Sequence, residues 1–417
     1  MHEHLAASAP PQPYWLSRQD CDLDAFHRLA SRQTDIAGYP HAASLQSRVP
    51  VYDCDSVRRL GQDPAALQAL QAEWGRALLG GPGVIVLQRA VADLATLEQV
   101  SAVFRELIAE QRASGNASGD HFARPGANDR IWNAQQKLCL RDPAAFARYY
   151  GNPVLAWISQ AWLGPGYQMT AQVNVVNPGG AAQSAHRDYH LGFQSEASSS
   201  TYPAHVHRIS AALTLQGAVA HSDMPLESGP TLYLPYSQLY PAGYLAYHQS
   251  AFRDYFEQHK VQLPLATGDA VFFNPALFHA AGHNRSSDIR RMANLLQVSS
   301  PFGRAMETLD RQAMSQALYP ALLALRAQGQ ARGDAVHAIA ACAEGYAFPC
   351  NLDRDPPVGG MAPASQQHHP QRRSIQLQGP RHIAPGHILE VLRPVRQALV
   401  AVLYHQHALR IRAAQVA

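Results

Sequence analysis

Long apolar runs are missing from this chain of 417 residues. None approaches the roughly 20 consecutive apolar residues that a membrane-spanning helix needs. Cysteine is scarce: Cys21, Cys54, Cys139, Cys342 and Cys350 are scattered and odd in number. No two are spaced C-x-x-C, which excludes a zinc ribbon and argues against a disulfide scaffold, and so for a reducing compartment. Lysine is almost absent, with Lys137 and Lys260 alone; the other basic residues are Arg, which reads as coding bias rather than a binding signal. An excess of one charge is missing too. The 34 basic and 31 acidic residues leave +3, too balanced for the electrostatic footprint of a nucleic-acid binder. The opening MHEHLAASAPPQPYW has neither a basic nor an apolar signal region, so a cytoplasmic protein is expected. What is present is a globular composition, 47% apolar and 16% charged, and an unusual 21 His.

Four regions follow from the texture of the chain. Residues 1–62 read as an irregular arm rich in Pro and turn residues. Residues 63–165 read as a helical framework with one strand. Leu67, Leu70, Trp74 and Leu78 recur at helical steps, GVIVLQ (83–88) is a short strand, and 94–111 is a second amphipathic helix. A further helix is expected from Pro143 to Leu163. Residues 166–300 hold short β-type runs between turns, expected to form a sandwich or barrel core. These runs include YQMTAQVNVV, HRISAALTLQGAV, DAVFFNPALFHAA and IRRMANLLQVSS. Residues 301–417 return to helices, with a Pro/Gly/Gln-rich loop at 346–386 and a terminal helix from about Ile388. The fold class expected is mainly β, framed by N- and C-terminal helices.

Three segments carry chemistry. In Gln183-Ser184-Ala185-His186-Arg187-Asp188, residues i and i+2 of an extended chain share a face. His186 and Asp188 would therefore stand side by side, with Arg187 turned away. The run from Gly268-Asp269 reads as a turn and then one apolar strand ending at His279, 91 residues beyond Asp188. Two His and one carboxylate on one face of an octahedral ion leave three open positions, the pattern of non-haem Fe(II) oxygenases; His283 is a rival for the distal ligand. The third segment, Gly282 to Arg291, returns the chain into a strand, and one Arg should face inward. Arg290 would share its face with Met292, Asn294, Leu296 and Val298; Arg291 would share its own with Ala293, Leu295 and Gln297. The first face is the more apolar, which favours Arg290. A buried guanidinium needs an anion, and its planar fork suits a dicarboxylate whose other end lies on the metal.

Together these segments resemble the phytanoyl-CoA dioxygenase family of Fe(II)/2-oxoglutarate oxygenases. The resemblance rests on His186-Arg187-Asp188, on Glu227 through Pro235 with its Gly229-Pro230 pair, and on Gly268-Asp269, His279, Gly282, Asn284, Ser286 and Arg290. It implies a double-stranded β-helix (a jelly-roll or cupin-like barrel), with iron held by His186, Asp188 and His279. Its cosubstrates would be O2 and 2-oxoglutarate, the latter bound through Arg290. It further points to Asn174 or Gln172 near the cosubstrate, and to Thr231 as another contact. Two departures stand out: the family's P-G-S-H is Pro235-Tyr236-Ser237-Gln238 here, and a small hydroxyl residue two after the distal His is Ala281.

The expected activity is hydroxylation of an unactivated C–H bond of a small metabolite or natural-product intermediate, releasing succinate and CO2. A carboxylate at position 188 favours this over halogenation. Desaturation, epoxidation or ring formation on the same fold are alternatives, as is a metal- or small-molecule-binding barrel without turnover. The partners expected are a small-molecule substrate, no nucleic acid and no membrane, in a monomer or homodimer. His190 reads as lying near the site, His205 and His207 as surface residues, and His368-His369 as a solvated loop. Asp353 and Asp355 read as turn formers or part of a lid.

Overall fold

The computed structural model describes residues 13–115, 126–329 and 332–343. The loop at 346–386, the terminal helix, His368, His369, Asp353 and Asp355 therefore lie outside the described residues. Eleven strands are present among those described: β1 (Ser44–Gln46), β2 (Val49–Asp53), β3 (Val84–Gln88), β4 (Asn128–Ile131), β5 (Gln168–Val176), β6 (Thr214–Ala220), β7 (Leu232–Leu234), β8 (Val261–Gln262), β9 (Ala270–Phe273), β10 (Phe278–Ala280) and β11 (Arg291–Ser299). The large sheet runs β1-β2-β3-β9-β6-β11-β5-β4 and the small one β10-β7-β8. An antiparallel bridge between His186 and His279 adds the His186 segment to the free edge of β10. Numbering the eight core segments from β5, the two sheets are then ordered 1-8-3-6 and 2-7-4-5. That order is the double Greek key of a jelly roll, the double-stranded β-helix.

Both faces of the large sheet are covered. On β5, Met169, Ala171, Val173 and Val175 join a core shared with the helices, which contribute Trp74, Phe104, Phe146 and Ile158. The alternate residues Gln168, Thr170, Gln172 and Asn174 face the small sheet. The inner layer is a second core of Val84, Val86, Tyr233, Val271 and Phe273. A sheet enclosed on both sides has no solvent face to mark its inside by polarity.

Four local readings need correction. Residues 1–62 are not irregular throughout. They form helices Leu23–Ala30 and Cys54–Leu60 and the strands β1 and β2, the latter parallel to β3. Pro50 hides β2, but pairing with β3 begins only at Val51. The stretch from Pro143 to Leu163 is two helices, Pro143–Tyr150 and Pro153–Leu163. Asn152 caps the second by accepting from Val154 N, with Pro153 in the first turn. HRISAALTLQGAV opens in the helix Ala204–Ala212, which follows Pro203 and is alanine-rich, before β6 begins. DAVFFNPALFHAA is two strands in different sheets. Asn274-Pro275 turns the chain between β9 and β10, with Asn274 Oδ1 accepting from Ala276 N at 2.9 Å.

Candidate metal centre

The segment carrying His186 runs antiparallel to β10. His186 N donates to His279 O at 3.0 Å, and His279 N returns a bond to His186 O at 3.1 Å. This reciprocal pair sets the two imidazoles directly opposite, with ring centroids 4.5 Å apart. Asp188 N donates to Pro275 O at 3.0 Å, which holds the third side chain on the same wall. His279 Nε2 lies 3.3 Å from Asp188 Oδ2, and His186 Nε2 lies 3.6 Å from Asp188 Oδ1. One atom from each of the three residues fits within a 4.8 Å span. The side chains are 28%, 20% and 5% exposed for His186, Asp188 and His279, so the cluster opens on the His186 side.

Neighbouring groups orient these three side chains. The Nδ1 atoms lie 2.9 Å from Ser184 O at His186 and 2.8 Å from Leu277 O at His279. A backbone carbonyl accepts, so each Nδ1 carries a proton and Nε2 is the nitrogen left to a metal, which would displace the proton that His279 Nε2 shares with Asp188. Gln216 of β6 donates its amide to Asp188 Oδ2. Burial alone would raise the Asp188 carboxyl, but the bond to His279, the two imidazoles and the Gln216 bond outweigh it. They hold the group well below the usual carboxylate range. Arg187 does turn away: its Nη2 donates to Ser237 O at 2.6 Å and Tyr240 O at 3.1 Å, and its guanidinium lies 4.9 Å from the Tyr244 ring. Burial brings it down to about 10, so it remains a cation. A Cβ on Gly243 would meet Arg187 Cζ at 1.9 Å, so that position must be glycine for the anchor to fit.

The inward guanidinium belongs to Arg291. Arg290 is exposed, whereas Arg291 is 7% exposed. Met292, Leu296 and Val298 face the helices; Ala293 and Leu295 pack on the inner core. The more apolar face of β11 thus meets the helical layer, which is why apolarity points the wrong way. Arg291 Nη1 is buried without a hydrogen-bond partner, and Arg291 lies beside Tyr233. Burial lowers the guanidinium to about 10. Thr231 stands beside the Tyr233 hydroxyl.

The remaining candidates divide. Asn174 is on the inner face, paired with Ala293 two residues from Arg291. Gln172 shares that face, and its Oε1 accepts from Arg130 of β4. His283 is exposed and outside the three-residue cluster. His190 follows Tyr189, and both have left-handed φ values, 48° and 63°. His207 is buried, not a surface residue, with Nε2 3.1 Å from Ser199 O; His205 is exposed. Gln216 went unnoticed in the sequence, where the available signal was one amide inside the buried run Thr214–Ala220. Several motif residues do structural work. Asn284 Nδ2 donates to Val176 O at 3.1 Å and Ile289 O at 2.8 Å, closing the loop into β11. Asp269 accepts from Arg89 N and Ala266 N, at 2.8 and 2.9 Å.

A jelly roll with two His and a carboxylate able to bind a metal on one inner wall defines the class of Fe(II)- and 2-oxoglutarate-dependent oxygenases. The chain belongs to the phytanoyl-CoA dioxygenase family, whose model matches residues 81–292. No curated protein matches its sequence. Among solved structures it is similar to SnoN, described as a non-heme alpha-ketoglutarate-dependent epimerase from nogalamycin biosynthesis. The identity is 20%, over 57% of this chain and 85% of that one, with a TM-score of 0.39. It is also similar to SnoK, a carbocyclase from the same biosynthesis, at 20% identity over 55% and 83%, TM-score 0.39. EvdMO1 is similar at 18% identity over 55% and 50%, TM-score 0.40. Among the described residues no helix is long and apolar enough to cross a membrane.

Proposed function

We propose that the protein hydroxylates an unactivated C–H bond of a small molecule, with His186, Asp188 and His279 as the iron ligands and Arg291 as the anchor of 2-oxoglutarate. The observation that carries this reading is the convergence of two imidazole nitrogens and one carboxylate oxygen within 4.8 Å, on a wall open to one side. The donor set fits Fe(II): it is neutral N, neutral N and anionic O, with both Nε2 lone pairs directed by backbone acceptors. The anchor fits a dicarboxylate, because Arg291 Nη1 is buried without a partner. When bound, iron and 2-oxoglutarate supply activation of O2, with release of succinate and CO2.

Each protein group has a separate task in this reading. Gln216 orients the Asp188 carboxylate, and Arg187 ties the ligand-bearing segment to the carbonyls of Ser237 and Tyr240. Arg291 takes the far carboxylate, with Thr231 and Asn174 completing that end. Gln172 is more simply a partner of Arg130. The carboxylate at position 188 favours oxygen transfer over halogenation. Desaturation, epoxidation or ring formation would use the same residues, with substrate position deciding the outcome.

The test is succinate formation by the full chain supplied with Fe(II), 2-oxoglutarate and O2. Wild-type protein is expected to release succinate and to lose that activity on His279→Ala, together with bound iron. An iron-independent signal, or none at all on transfer from anaerobic to aerobic conditions, would favour a binding barrel.

A further inference from the structure

The inner face of the large sheet changes character along its strands. Near Arg291 the inward residues of β11, β6 and β9 are apolar, Ala293 and Leu295, Ala218 and Ala220, and Val271, while β5 sets Asn174 and Gln172 there. Farther along β11, every inward position on three adjacent strands is polar. Register sets six of them in two rows, Thr170–Gln297–Gln216 and Gln168–Ser299–Thr214. All are buried, none more than 6% exposed. Part of this polarity is accounted for within the fold. Thr170 Oγ1 donates to Gln297 O at 3.0 Å, and Gln168 Nε2 donates to Ser300 O at 2.8 Å and Gly303 O at 3.0 Å. Gln216 donates to Asp188. Four atoms are left with nothing: Thr214 Oγ1, Gln216 Oε1, Gln297 Oε1 and Ser299 Oγ. The hydroxyl of Tyr189, next to Asp188, is buried and unpartnered as well.

Folded proteins rarely leave buried polar atoms unmatched, and four adjoining ones beside a metal ligand call for a ligand. Its chemistry follows from theirs. The patch carries no ionised side chain except Asp188, and the charges of Arg130 and Glu307 beside Tyr189 offset each other, so an ionic group would be buried without a free counter-charge. A hydrocarbon chain would leave all four atoms desolvated and unpaired. A neutral group bearing several hydroxyls can donate to the amide oxygens and both donate to and accept from Ser299 and Thr214.

We propose that this patch is the substrate subsite and takes a neutral, hydroxyl-rich group, a polyol or glycosyl unit, held beside Asp188. This rests on the oxygenase reading and adds to it the chemistry of the substrate; a fatty acyl thioester is the opposite case. The experiment is calorimetric titration of the full chain, loaded with Fe(II) and 2-oxoglutarate under nitrogen. The probes are sorbitol, methyl glucoside and maltotriose against an octanoyl thioester. At least one hydroxylated probe is expected to bind, and Gln297→Leu to weaken it tenfold or more. The near-isosteric pair Thr214→Val with Ser299→Ala should do the same while keeping the wild-type melting temperature. The proposal is overturned if no hydroxylated probe binds, if the thioester binds in preference, or if the variants bind as the wild type does. Succinate release without any probe reads the metal centre alone, so its absence would count against the oxygenase reading instead.

Discussion

Arg291 brings its charge into the barrel beside Tyr233, with one guanidinium nitrogen left without a hydrogen-bond partner. A cation so placed is costly until an anion arrives, which makes it the natural measure of cosubstrate binding. Arg291→Ala is expected to raise the 2-oxoglutarate dissociation constant more than a hundredfold, from roughly 3–5 kcal/mol for a truncated buried pair. Iron binding should persist, because the three ligands are positioned by other groups. Arg290→Ala, on the exposed side, should change that constant less than about twofold. Titration of the anaerobic iron complex with 2-oxoglutarate checks both. Equal effects of the two substitutions would contradict the assignment of the inward guanidinium.

Strands and turns decide what such residues can reach. Gly268 sits at φ +91°, and a Cβ there would meet Val91 O at 2.7 Å. Gly268→Ala is therefore expected to destabilise the protein by about 1–3 kcal/mol, read as a lower midpoint in urea unfolding. Asp269 extends the same turn by accepting from Arg89 N, which docks the entrance of β9 on the exit of β3. Pro275 then ends β9 and delivers His279 to the other sheet. A continuous strand would have kept His279 in the large sheet, away from its bridge to His186. The alternation His186–Asp188 and the turn residues around Gly268 were open to reading because they obey local geometry. The break at Asn274-Pro275 was also local, but the apolar run around it masked it. The inward Arg was not local at all: an enclosed sheet offers two buried faces, and apolarity cannot rank them.

At the scale of the whole molecule, the helical layer and the large sheet share one apolar core, pinned by a polar thread. Ser101 lies 2.8 Å from His221 Nδ1, Tyr149 lies 3.0 Å from His221 Nε2, and Asn294 donates to Tyr149 at 3.1 Å. Burial, with Arg105 nearby, pulls His221 down to about 3. In the unfolded chain it would titrate near about 6.5. Between those values the unfolded state takes up a proton that the folded state refuses, so stability falls as pH falls. The slope approaches about 1.4 kcal/mol per pH unit from this group and levels off below the folded value. Melting temperature is accordingly expected to drop from pH 7 to pH 5, and His221→Gln to flatten that drop. An unchanged slope in the variant would show that other groups carry the acid sensitivity.

What the chain determined by itself was whatever depends on neighbours in sequence: a globular protein, the paired His186 and Asp188, and the motif order leading to His279 and the Arg pair. The tertiary structure alone decided which Arg turns inward, which amide supports Asp188, and which face of β5 and β11 lies inside the barrel. Those outcomes depend on what covers each side of a strand, and the covering groups are brought there by the fold, as Gln216 is to Asp188 across 28 residues of chain.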